Sequence, residues 1–100
     1  MRVLFANDQL RRCYEDQKQR VRAWGEKIAR RYLDRVNRLY AAETAEDLRA
    51  FPELRFHPLT GDRKGEWAMN LDNFWRLVVV FEDDQLTVVR IEEVSKHYGD

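Results

Sequence analysis

Cysteine, histidine, proline and glycine are all scarce in this chain of 100 residues, which holds one Cys, two His, two Pro and four Gly. A lone thiol, Cys13, excludes an intrachain disulfide and a cysteine metal cluster. The two histidines, His57 and His97, stand forty positions apart among scattered carboxylates. That pattern matches no metal-ligand spacing, so no metal site is expected. No Gly-rich loop opens a helix in the way that cradles phosphates, and no cofactor is expected. Long apolar runs are missing too: none approaches the roughly 20 residues that span a bilayer. The patch Val3-Leu4-Phe5 is too short for a secretory signal. Net charge is absent, with 18 Lys/Arg against 18 Asp/Glu. The expectation is a soluble, cytoplasmic protein without membrane contact.

What is present suffices for one domain spanning 1–100, since 44% of the residues are hydrophobic and 12% aromatic. The charge is unevenly spread. Residues 1–50 carry 12 Lys/Arg against 8 Asp/Glu, and residues 51–100 carry 6 against 10. A dipolar chain of this kind can present a basic face to a polyanion although its sum is zero.

The periodicity changes halfway. Arg2 to Phe5 reads as a short strand. Asn7 or Asp8 offers an N-cap, after which Leu10, Cys13, Tyr14 and Val21 fall on one helical side. Gly25 is the expected break. Trp24, Ile28, Tyr32, Val36 and Tyr40 then form an i, i+4 stripe, the pattern of a helix packed on a sheet. Its opposite face, with Arg30, Arg31, Asp34, Arg35 and Arg38, reads as solvated or as touching an RNA backbone. Thr44 to Asp47 spells a capping box for a short helix that ends before Pro52.

From Leu54 the period is two. Strands are expected at Leu54 to His57, around Trp67 to Leu71, at Phe74 to Phe81 and at Leu86 to Val94, with corners at Asp72-Asn73 and Asp83-Asp84. A helical half at 7–50 followed by a sheet half at 54–94 predicts an α+β fold. In it, two N-terminal helices pack on a mainly antiparallel sheet of four or five strands. Trp67 and Trp75 share faces with apolar neighbours and read as core.

The most informative stretch is His57-Pro58-Leu59-Thr60-Gly61-Asp62-Arg63-Lys64-Gly65-Glu66-Trp67, closely followed by Phe74-Trp75-Arg76. Two glycines and a proline shape a loop that presents polar side chains. Histidine is the side chain that exchanges a proton near neutral pH, and the planar arginine donors match phosphate oxygens. An acid–base group beside fixed cations fits RNA cleavage by the RNA's own 2′-hydroxyl. The same residues also fit a plain hairpin corner, with His57 satisfied by a backbone carbonyl. A two-residue corner at Asp72-Asn73 would set Leu71 opposite Phe74 and Met69 opposite Arg76. Arg76 then shares a face with Phe74, Val78 and Val80. There it needs either a carboxylate, such as Glu92 or Asp62, or a phosphate.

The run HPLTGDRKGEW followed by FWRLVVVFED resembles the HigB branch of the RelE-like toxins, the plasmid-maintenance killer proteins. The likeness covers roughly residues 54–92. It implies a RelE-like fold and a type II toxin that enters the ribosome and cuts mRNA without a metal. The toxin would be restrained by a cognate antitoxin, a HigA-like helix-turn-helix protein. It further implies His57, Arg63, Arg76 and His97 as catalytic residues, with Lys64, Lys96 and Tyr98 contacting RNA. Thr60 stands where such toxins often carry lysine. Glu92 and Glu93 align with the family's acidic pair, but Val94-Ser95 stand where Tyr-His is usual, and His97-Tyr98 come three residues later. Two other readings stay open: a ParE-like gyrase poison on the same fold, and a toxin-like binding protein that has lost cleavage.

Overall fold

The computed structural model describes residues 1–96. In it a strand, β1 (Arg2–Phe5), leads into α1 (Asp8–Glu15), α2 (Gln17–Ala41) and the short α3 (Ala45–Arg49). Four strands follow: β2 (His57–Pro58), β3 (Glu66–Asn70), β4 (Trp75–Phe81) and β5 (Val88–Lys96). Among the described residues they form one five-stranded sheet in the order β1-β5-β4-β3-β2. Only the β1–β5 pairing is parallel; the others are antiparallel. Helices precede hairpins, as the change of period predicts, and the α+β class follows.

The first two helices start where a side chain satisfies one of their first free N–H groups. Asn7 Oδ1 accepts from Leu10 N at 2.9 Å, and Asp16 Oδ1 accepts from Lys18 N at 2.9 Å. Asp16 is extended and separates α1 from α2, a break the apolar spacing does not reveal. Gly25, at φ +80°, interrupts α2 where expected. Asp47 Oδ2 reaches back to Glu43 N at 2.8 Å and Thr44 N at 3.3 Å, completing the anticipated cap.

The core lies between α2 and one face of the sheet. Ile28, Tyr32, Val36 and Leu39 pack against Met69, Leu71, Leu77, Val79, Val89 and Ile91. Trp67 and Trp75 are partly buried against this core, as expected. Tyr40 is not: it is 45% exposed and stacks on Tyr14 at 5.7 Å.

Three expectations are corrected. The helix face read as solvated is partly structural, because Arg35 is only 8% exposed. Arg35 Nε donates to the Asn70 carbonyl at 2.9 Å, and Arg31 donates to the Leu71 carbonyl at 2.6 Å. These guanidiniums satisfy carbonyls at the end of β3, where the ladder stops. Second, Leu54 to His57 is no strand. Pro52 opens a 3-10 turn through Leu54, Arg55 takes a left-handed φ of +46°, and pairing begins only at His57. Third, the β3–β4 corner is longer than two residues. Asp72 Oδ1 accepts from Phe74 N at 2.8 Å and Trp75 N at 2.7 Å. This side-chain turn shifts the register, so Asn70, not Met69, faces Arg76, and Phe74 is 58% exposed in the turn.

Candidate active site

The sheet face turned away from the helices is read from its register. One row runs from His57 on β2 through Ala68 on β3 and Val78 on β4 to Glu93 on β5. The next row is Asn70, Arg76 and Ser95, and on the other side lie Glu66, Val80 and Arg90. Strand alternation places all these side chains on the same face. Ala68 and Val78 are buried yet stand outside the helix-packed core, so the rows have a small apolar floor between polar walls.

His57 is exposed, and its Nδ1 lies 2.6 Å from the Arg55 carbonyl. A carbonyl only accepts, so Nδ1 carries the hydrogen, and in the neutral ring the lone pair is on Nε2. Satisfying Nδ1 on a backbone carbonyl therefore leaves Nε2 for other partners.

Arg63 ends a 3-10 turn, Gly61–Arg63, within the loop between β2 and β3. Gly61 at φ +66° and Gly65 at φ +100° let the loop fold back, and the Leu59 amide bonds the Glu66 carbonyl at 2.8 Å. Arg63 Nε and Nη2 grip the two Glu66 carboxylate oxygens at 2.8 and 3.1 Å. Nη2 also donates to Glu93. Glu66 stands on β3 and Glu93 on β5, so the guanidinium bridging them lies across β4. The Arg63 hydrogen bond holds the Glu66 carboxyl below the usual carboxylate range; burial opposes this, and the Arg76 charge adds to it. Glu66 first, then Glu93, raise the Arg63 pKa beyond its already high value.

Glu93 reaches this face through an irregularity. The register passes from Val78–Glu93 to Val79–Ile91, so Glu92 is an extra residue on β5. The bulge turns Glu93 outward and Val94 towards the core, where strict alternation would have done the reverse. Glu92 itself pairs with Arg90 Nε at 2.5 Å.

The structure thus brings His57, Arg63 and Arg76 onto one face. Lys64 is exposed on the adjoining loop. Lys96 is not with them: it faces Trp75 in register, on the opposite face, with Nζ 5.3 Å from the indole centre. His97 and Tyr98 lie outside the described residues. Sequence reasoning missed Glu66 and Glu93 as the partners of Arg63. Two signals were available, the three-residue spacing of Arg63 and Glu66 and the polar pair in Ile91-Glu92-Glu93-Val94, which interrupts alternation. Among the described residues no three His, Cys, Asp or Glu side chains converge to hold a metal ion.

Solved structures share this architecture. YafQ from E. coli superposes with a TM-score of 0.62 over 97% of this chain and 94% of that chain, at 17% identity. The YoeB–YefM complex from Staphylococcus aureus gives 0.58 over 98% of each, at 16% identity. These likenesses define the class of fold, the RelE-like α+β sandwich. The chain belongs to the HigB family within it: the profile described as "RelE-like toxin of type II toxin-antitoxin system HigB" matches residues 3–92. Endoribonuclease HigB of Proteus vulgaris is 31% identical over 64 residues, spanning 61% of this chain and 70% of that protein.

Proposed function

We propose that this toxin is a ribosome-dependent endoribonuclease that cuts mRNA without a metal ion and is silenced by a cognate antitoxin. The observation that carries the reading is the placing of His57 on the same sheet face as Arg63 and Arg76, with Nδ1 against the Arg55 carbonyl so that Nε2 is the nitrogen left to act. Nε2 takes the proton of the 2′-hydroxyl, whose oxygen then attacks the adjacent phosphorus. Arg63 and Arg76 offset the charge that builds on the phosphoryl oxygens. The 5′-oxygen leaves with a proton, for which His97 is the candidate donor. Lys64, on the adjoining loop, and Tyr98 are the candidate RNA contacts; Lys96, on the opposite face, is not among them. The relative named an endoribonuclease supports the same chemistry.

So small a set of acid–base groups gains most when the RNA is already held in line, and the ribosome supplies that alignment. The antitoxin proposed is a HigA-like helix-turn-helix protein. The E. coli DinJ–YafQ toxin–antitoxin complex contains a toxin of the same fold, with a TM-score of 0.57. The test is cleavage of one message, free and on purified translating ribosomes. Cutting is expected on ribosomes and at least about a hundredfold more slowly on free RNA. Equal rates on both would overturn ribosome dependence.

A further inference from the structure

We propose that Glu66 is an internal stand-in for the substrate phosphate, occupying the phosphate-binding edge of Arg63 until RNA displaces it. The inference rests on the nuclease reading above and adds a residue that the reading does not use. The Nε–Nη2 edge of a guanidinium offers two parallel N–H donors, the fork that binds carboxylate and phosphate alike. In this structure both donors are taken by the two oxygens of Glu66, at 2.8 and 3.1 Å. Glu93 takes a further Nη2 donor. Among the described contacts Arg63 Nη1 donates to no group, so the arginine's best phosphate-binding edge is the edge already filled.

The charges point the same way. The charges of Arg63 and Arg76 are balanced by those of Glu66 and Glu93, so these four side chains sum to zero; Arg90 on the same face is engaged by Glu82 and Glu92. A phosphodiester entering the neutral group gains little, whereas one that displaces a carboxylate meets a net cation. The pair is built to exchange. Only Lys64 and Gly65 separate the partners, so the pair forms without any ligand. Its side chains are 36% and 25% exposed, so solvent reaches the pair and screens it in part. A phosphate on RNA held in line competes with it successfully; a stray anion competes poorly. The site is thereby kept closed to phosphates that arrive without alignment.

The test measures binding of a fluorescent 2′-O-methyl oligoribonucleotide, which lacks the attacking hydroxyl, as a function of salt. The proteins are wild type, Glu66→Gln, Arg63→Ala, Arg76→Ala and Glu26→Gln. Glu26→Gln neutralises an exposed carboxylate on α2 and controls for net charge. Glu66→Gln is expected to bind about two- to fivefold tighter than wild type. The slope of log K against log salt should steepen by about 0.7, one added phosphate contact. Glu26→Gln should do neither, and circular dichroism should show all variants folded. If Arg63→Ala and Arg76→Ala weaken binding but Glu66→Gln does not tighten it, the stand-in is overturned and the nuclease reading survives. If Arg76→Ala binds as wild type does and Glu66→Gln does not tighten binding, both fail together; Arg63→Ala, whose edge is filled in the wild type, is compared with Glu66→Gln.

Discussion

Arg35 Nε donates to the Asn70 carbonyl at 2.9 Å, tying the long helix to the strand whose outer face carries Glu66 and Ala68. Its Nη1 meets Asp34 Oδ2 at 2.8 Å, so the charge is partnered although the residue is buried. Burial raises the pKa of Asp34, but hydrogen bonds from Arg35 and Arg38 outweigh it and leave the carboxyl below its usual range. Arg35→Ala removes the donor from a part-buried carbonyl and takes one arginine partner from Asp34. We expect a loss of about 1–3 kcal/mol in urea unfolding. A change below about 0.5 kcal/mol, the usual size for a surface position, would show that the bond is incidental.

Asp72 organises the corner that sets the register of β4. Burial works against its charge, yet backbone N–H groups of Phe74 and Trp75, followed by Lys27, bring its pKa below the usual carboxylate value. A depressed folded pKa stabilises at pH above the unfolded value and loses that effect as pH falls through the folded one. Asp72→Asn should therefore be less stable than wild type by about 1 kcal/mol at pH 7. The gap should close below about pH 4. Thermal unfolding at both pH values checks the sign; a gap that widened in acid would contradict it.

Much of this was legible in the sequence, for reasons that differ by element. The Gly25 break, the Thr44–Asp47 cap and the two-sided apolar run of β4 are local chemistry, and local chemistry is written in adjacent residues. The buried Arg35 was not legible, because its partner carbonyl lies 35 positions away and backbone atoms carry no sequence signature. Nor was the shortness of β2: Leu54 is buried as a strand residue would be, but Pro52 and the left-handed Arg55 spend those positions on a turn. At the site, His57, Arg63 and Arg76 could be nominated individually. That Arg63 is gripped from two strands depends on the bulge at Glu92, and sheet register is a long-range property.

His57 is exposed, and among the described residues its ring bonds a neighbouring carbonyl. His57→Ala should leave the unfolding midpoint unchanged while cutting ribosome-programmed cleavage about 10²–10⁴-fold, the contribution of a general base. Retained cleavage would assign the proton transfer to another group.

Whether this face cuts translated message is decided by primer extension on a cellular mRNA after induction of wild type and of Arg76→Ala. Cuts at in-frame codon positions are expected for wild type and should be lost in the variant although it folds. Growth arrest with the message intact would contradict this and favour a poison acting on another target, such as gyrase.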